Sequence, residues 1–431
     1  MTEASDFASR LFEIARTNNG ENITLELGGV PVFVVQDLDS AHHVLRHNAA
    51  NYLKSMEWFR QALGASRFTE NGSGWNLRQA LSQSYLSRFD REKTVKASIR
   101  LARKALQKLN TKGEEQPQPV DDAVLRNLAA AVMLEVFFDV DLDSSGVELE
   151  HIAYLVGFGS EYSFVPHGKK IAFSSQEIAS FMDIRYKVLR SMQVFRQGDV
   201  PQESLLGKIR KMDAEGTEGF RLEHEMTMFF AAASETTAAT LGWAMFALSR
   251  WPETQDELRK VSSRLPDLEE CCWEDIETCE PLRNFVLEVL RMFPSTPVIA
   301  RRAVVPDGIG DKIVGADEQV LISLVGIQHN RNINPDPWQL DIKRPPSGGA
   351  NFGNSISFST GPRVCGGTRF ALTELMSVLL TFIREAEFSP TSMAEPKFLF
   401  RTQLMNEGGQ PVRVSMRISN AVSGAEAGGY S

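Results

Sequence analysis

Cys365 lies in Phe358-Ser359-Thr360-Gly361-Pro362-Arg363-Val364-Cys365-Gly366-Gly367, a glycine-rich turn just ahead of an apolar, helix-like run over residues 370–380. A cysteine so placed can be presented as a thiolate to a planar metal cofactor on one side, with a helix N-terminus behind it stabilising negative charge. Gly361 lets the chain turn tightly, and Gly366 and Gly367 let backbone N–H groups approach the sulfur with no Cβ in the way. A second constellation is Ala232-Ala233-Ser234-Glu235-Thr236-Thr237. A core helix has no packing reason to set an acid beside two threonines, whose hydroxyls can bond back to the i−4 carbonyl and loosen the helix. A third is Glu288-Val289-Leu290-Arg291, where acid and base share one helical face and can pair. Each alone has a plain structural reading: a buried cysteine, a partly exposed helical turn, a solvated salt bridge. Their weight comes from occurring together.

The elements that must position these groups follow from hydrophobic periodicity. Residues 222–250 read as one continuous helix carrying the acid–threonine pair, and 282–292 as the helix carrying Glu288 and Arg291. Upstream, 23–27 and 32–35 read as paired strands around Gly28-Gly29, with Pro31 just before the second. A helix over 38–46 follows. Residues 75–172 are mostly helical, and 123–138 are so apolar that they must be nearly enclosed. Further helices are expected over 176–195 and 253–262. Short strands are expected at 298–305, 312–314, 319–325, 398–404 and 412–418, the last two flanking a turn at Gly408-Gly409. Pro335, Pro337, Pro345 and Pro346 mark an irregular stretch leading to the cysteine turn. The pattern predicts a mainly α fold with small β-sheets, one large domain over 1–419, and a small polar tail, 420–431, that is disordered.

Bulk properties narrow the classes further. No Pro/Gly/Ser linker divides the 431 residues, and 42% apolar content is enough to enclose a bulky cofactor. A formal net charge of -9 argues against nucleic acid and anionic membranes, which need a basic surface. No segment has the apolar length of a signal or membrane anchor, so a soluble, cytoplasmic protein is expected. Cys271, Cys272 and Cys279 share one acidic stretch without a C-x-x-C pair or histidines at zinc spacing, and read as free thiols.

The cysteine turn, followed by Ala371 and Glu374, resembles the haem-binding signature of the cytochrome P450 family, and the likeness extends over roughly residues 22–418. It implies that Cys365 is the axial thiolate ligand to the iron of haem b, the ligation that favours O–O cleavage. By the same likeness Phe358 shields the sulfur, Gly367 lies against it, and Arg363 pairs with a haem propionate. Ser359 stands where the family has glycine, so the backbone there is expected to be less free. Glu235 and Thr236 resemble the family's acid–threonine pair: Thr236 would hydrogen-bond dioxygen and an ordered water, and Glu235 would connect to solvent in a proton relay. Ala233 replaces the usual glycine, which tightens the kink expected there. Glu288, Arg291 and Arg344 resemble the family's folding clamp. Trp75 and Arg78 resemble its propionate-binding pair, although Trp75 is three residues ahead rather than four, with Gly74 in the usual place. Arg302 is preferred to Arg301 as a further propionate arginine, on its spacing to Asp307.

The resemblance also assigns a substrate pocket. Met228, Phe229, Ala232 and Ala233 precede the acid–threonine pair; Thr296, Val298 and Ile299 follow the clamp helix. Trp58 and Phe59 belong to a variable loop, and Leu404 and Met405 form the far wall. Such an apolar set suits a hydrophobic small molecule. The implied function is a haem–thiolate monooxygenase inserting one atom of O2 into a lipid, terpenoid, steroid or aromatic secondary metabolite. Two electrons would come from a separate ferredoxin or flavodoxin with its NAD(P)H reductase, because no Gly-x-Gly-x-x-Gly unit is fused on. Arg88, Arg91, Lys93 and Arg369 are candidates for docking that partner. The same fold could instead use peroxide, or dehydrate or rearrange its substrate, but such members usually lack the acid–threonine pair. A non-catalytic haem or ligand carrier needs neither Glu235 nor Thr236. A cofactor-free helical interaction protein would be colourless.

Overall fold

Leu222–Arg250 is a single helix of 29 residues, buried over most of its surface. It is apolar on nearly every face, which a helix tolerates only when other elements surround it. In the computed structural model, Asp122–Phe138, Leu149–Tyr162, Ser175–Ser191, Glu280–Met292 and Thr368–Glu385 pack against it. It stops where Trp251 precedes Pro252 and leaves the helical region, with φ −121° and ψ 75°. Its neighbour Asp122–Phe138 opens on Asp121, whose carboxylate accepts the Ala123 N–H at 2.9 Å, and closes on Asp139 at a left-handed φ of 53°. The structure describes residues 3–111, 113–115, 117–163, 171–344, 355–401 and 403–417. The expected tail, Pro345, Pro346 and Ile418 lie outside them.

The protein is mainly helical with small sheets, as expected. The largest sheet runs in the order Ile23–Leu27, Val30–Val35, Gln319–Ser323, Val298–Ala303, Tyr52–Leu53. Pro31 falls inside the second strand rather than before it. The parallel partner pairs only with Phe33 to Val35, so the missing N–H of Pro31 breaks no ladder bond. Three other strand expectations shift. Residues 319–325 split into Gln319–Ser323 and a helix, Leu324–Gln328, because the Ser323 hydroxyl caps it through the Gly326 N–H. Residues 398–404 form a hairpin of two strands, Phe398–Phe400 and Leu404–Asn406. Val412–Met416 pairs with Ala386–Pro390, not across the Gly408-Gly409 turn. The helix expected over 38–46 is Leu38–His42 continued as one π-helical turn, His43–His47. Among the described residues no helix is long and apolar enough to cross a membrane.

Candidate functional site

Three short backbone bonds fold the cysteine turn: Cys365 N–H to Phe358 O (2.9 Å), Val364 N–H to Gly361 O (3.1 Å) and Ser359 N–H to Ile356 O (2.7 Å). Gly361 has φ 73°, and a Cβ there would lie 2.0 Å from the Leu45 carbonyl oxygen, so glycine is obligatory. The restriction expected at Ser359 does not stop the chain: the serine adopts a left-handed φ of 63°. At Gly366 a Cβ would meet the Arg67 guanidinium at 2.6 Å, whereas Gly367 has open space around it and sets its N–H near the Cys365 sulfur. Phe358 packs half-buried on the core.

The Cys365 side chain is accessible although protein surrounds it so closely that burial pushes its thiol up; it lines an internal space. The Gly367 N–H, the Thr368 hydroxyl, Arg67 and Lys54 oppose that effect of burial. A metal cation on the sulfur is the charge that would complete the reversal.

The long helix carries a matching opening. Ala232 is exposed and Ala233 and Thr236 are partly so, in a helix whose neighbouring residues are buried. Ala233 lies inside an unbroken helical span. The Ser234 and Thr236 hydroxyls bond back to Phe230 O (2.7 Å) and Ala232 O (3.0 Å) without breaking the helix. Glu235, expected to connect to solvent, is instead 3% exposed, and its Oε1 lies 2.8 Å from Nε of Arg126 on the Asp122–Phe138 helix. One turn away, burial pushes the Asp122 carboxyl up to about 6, against the pull of Arg126. Thr237 lies beside Glu374, a carboxyl that burial holds well above the usual range. That contact ties the helix following Cys365 to the acid–threonine segment.

A ring of cations borders the same space, and it keeps Arg363 from the set the sequence suggested but not Arg78 or Arg302. Arg363 stacks over Trp75, 4.1 Å from its ring centroid, and donates to Glu70 O (3.0 Å) and Asn71 Oδ1 (3.1 Å). Arg302 turns outward and pairs with Asp317 at 2.5 Å. Arg301 is the buried one, 5% exposed, because successive side chains of a strand alternate faces. Spacing to Asp307 misled, since that carboxylate serves His43, Asn48 and Tyr52. Arg78 is taken up by Glu225 at 2.5 Å and by the carbonyls of Gly74 and Gly219. Lys54 and Arg67, which sequence reasoning missed, stand near Cys365 instead. No local pattern announces them, because strand pairing and loop packing bring them there. Cations in an internal space suit a cofactor that brings its own carboxylates.

The clamp residues do meet. Arg291 grips Glu288 bidentately (Nε–Oε1 2.7 Å, NH2–Oε2 3.0 Å), and Arg344 Nε lies 3.2 Å from the same Oε1. The pocket residues are less united. Phe229 is buried and packs edge-on against Phe138, with ring centroids 5.4 Å apart, and Met228 is equally buried. Val298 and Ile299 face opposite sides of their strand, one toward each hydrophobic cluster. Leu404 is fully buried, its carbonyl accepting from Trp243. Thr296 bonds Gln403 at 3.2 Å, and Met405 is half-buried. Trp58 joins an aromatic group with Phe158, Tyr162 and Phe173, while Phe59 packs on Phe68. Of the docking candidates, Arg91 and Lys93 pair with Glu277 and Asp139, and Arg88 and Arg369 are exposed.

Comparison with known proteins bears on this geometry. The family model "Cytochrome P450" matches residues 4–411. Cytochrome P450 4F12 of Homo sapiens is 32% identical over 228 residues, 49% of this chain and 42% of the relative. Protein LUTEIN DEFICIENT 5, chloroplastic, of Arabidopsis thaliana is 24% identical over 429 residues, 90% of this chain and 70% of the relative. Cytochrome P450 4A24 of Sus scrofa is 27% identical over 250 residues, 54% and 49%. The matched segment thus spans less than half the length of the human and pig relatives.

Proposed function

The chain belongs to the cytochrome P450 family, whose cofactor is haem b, and on that premise we propose that it is a monooxygenase of hydrophobic small molecules. Haem on a cysteine thiolate supplies the activation of dioxygen. Cys365 would hold the iron, with the nearby Gly367 N–H tempering how much electron density its sulfur releases. Arg363, seated on Trp75, and the buried Arg301 would meet the cofactor's carboxylates. Substrate would lie against the open face at Ala232 and Ala233, where apolar contact excludes water.

Protons would be handled by residues of two helices. Thr236 Oγ1 donates to Ala232 O, which leaves its lone pairs able to accept from a water or an incoming hydroxyl. Glu235 would pass a proton toward it, held in place by Arg126, with Asp122 as the group nearer solvent. A positioned acid of this kind accelerates proton transfer by ~10²–10⁴. The observation that carries the reading is the opening at Ala232, Ala233 and Thr236 in an otherwise buried helix tied to the cysteine helix through Thr237 and Glu374. Electrons would come from a separate ferredoxin or flavodoxin system, with exposed Arg88 and Arg369 available for docking. The three other cysteines, Cys271, Cys272 and Cys279, are free thiols and favour a reducing, cytoplasmic setting.

The reduced carbon monoxide difference spectrum tests the assignment. The parent should give the red-shifted Soret band of thiolate ligation, and Cys365→Ser should lose it; an unchanged spectrum in the variant would sink the proposal. Turnover supported by NAD(P)H and surrogate redox partners, set against turnover supported by peroxide, separates monooxygenation from the peroxide-using alternative.

A further inference from the structure

Arg78 follows Trp75 by three residues, and on a helix of 3.6 residues per turn a side chain at i+3 points about 100° away from one at i+4. Trp75 keeps its place against Arg363, so Arg78 is carried off toward the start of the long helix. There its Nε donates to Glu225 Oε1 at 2.5 Å, with both side chains almost wholly buried, and its remaining nitrogens donate to Gly74 O (2.9 Å) and Gly219 O (2.6 Å). Each nitrogen of that guanidinium is engaged by protein.

Two other cations enter from the segment between Tyr52–Leu53 and Gly72–Ser87. The register Tyr52↔Ala303, Leu53↔Arg302, carried one residue further, sets Lys54 opposite Arg301. Lys54 Nζ donates to Phe68 O at 2.8 Å. Its backbone exchanges two 3.1 Å bonds with the Asn71 side chain, whose Oδ1 also accepts from Arg363. Arg67, next to Phe68, donates to Ser82 and Gln83 and presses against Gly366, the residue after Cys365. Lys54, Arg67, Arg301 and Arg363 thus converge beside Cys365. Among the described residues no carboxylate side chain pairs with any of them. Like charges facing each other across strands are destabilising, and unpaired charge away from bulk water is costly. The cluster is built for an anion.

We propose that Lys54 and Arg67 join Arg301 and Arg363 in holding the two carboxylates of the cofactor, in the role that Arg78 cannot fill, while the Arg78–Glu225 pair is a structural tie between two helices. This rests on the haem reading above. The test is the rate at which purified holoprotein surrenders haem to an excess of an acceptor globin, for the parent, Lys54→Met, Arg67→Gln and the double variant Arg78→Gln/Glu225→Gln. Lys54→Met and Arg67→Gln should each lose haem ~10-fold faster or more, as expected for a removed charge-assisted bond, and Lys54→Arg should restore retention. Their haem-free forms should unfold at or above the parent's temperature, since a like charge has been removed from the cluster. The Arg78/Glu225 double variant should keep the parental rate of haem loss. Parental retention in Lys54→Met and Arg67→Gln, or haem loss confined to the double variant, overturns the assignment. A parent that takes up no haem at all brings down the haem reading itself, and this inference with it.

Discussion

Ser359 shows how a single residue can be bent to the needs of the turn that holds the cysteine. Its φ of 63° is a conformation glycine adopts freely and other residues reach at a cost of roughly 1 kcal/mol. Its hydroxyl is also buried, with no hydrogen-bond partner among the described residues. The strain persists because the Ser359 N–H bond to Ile356 and the close seat of Gly361 on Leu45 fix the loop on both sides. Replacing Ser359 by glycine should therefore stabilise the protein by about 1 kcal/mol. Urea unfolding would read this as a higher midpoint at unchanged slope; a lower midpoint would mean that the serine is doing something the backbone account omits. The choice between Arg301 and Arg302 belongs to this scale too: one peptide unit along a strand exchanges an interior cation for a surface ion pair.

Between elements, the clamp is where stability is concentrated. Glu288 receives Arg291 from its own helix, Arg344 from the irregular stretch, and the Asp341 N–H at 3.1 Å. Arg291 then reaches Pro337 O (2.7 Å) and Gln339 O (3.2 Å), so helix and irregular stretch are pinned by one buried network. Glu288→Ala would leave two guanidinium groups facing each other without their anion. Breaking a buried pair this way costs about 3–5 kcal/mol, enough to deplete folded, haem-loaded protein. Arg344→Ala should be milder, because its bonds to Pro335 and Asp336 are at the surface. Comparing denaturation midpoints of the two variants checks the order; equal losses would show that the network does not centre on Glu288.

Across the whole molecule, an excess of acids meets a few buried carboxyls that resist ionising. Asp122 is one: burial raises its folded pKa to about 6 from a reference of 3.8, outweighing Arg126, while Asp121 and Glu235 add to the rise. The folded state then holds this proton more tightly than the unfolded one, so stability falls as pH rises from about 4 to about 6 and the deficit persists above. Asp122→Asn removes the deficit. Its melting temperature should match the parent's near pH 4 and exceed it at pH 8. A constant difference at all pH values would show that the carboxyl is not held up in the folded state.

The cysteine turn, the bounds of the long helix and the Glu288–Arg291 pairing could be read from the chain because they are local: residues a few positions apart, governed by helical period, turn geometry and side-chain type. Which strands pair, where 398–404 folds back, that Glu235 answers to Arg126, and that Lys54 and Arg67 rather than Arg78 and Arg302 stand beside Cys365 were decided by packing between distant segments. Charge acts through space and side-chain direction changes with each residue of register. A motif can therefore fix what chemistry is present while leaving open which cations face it.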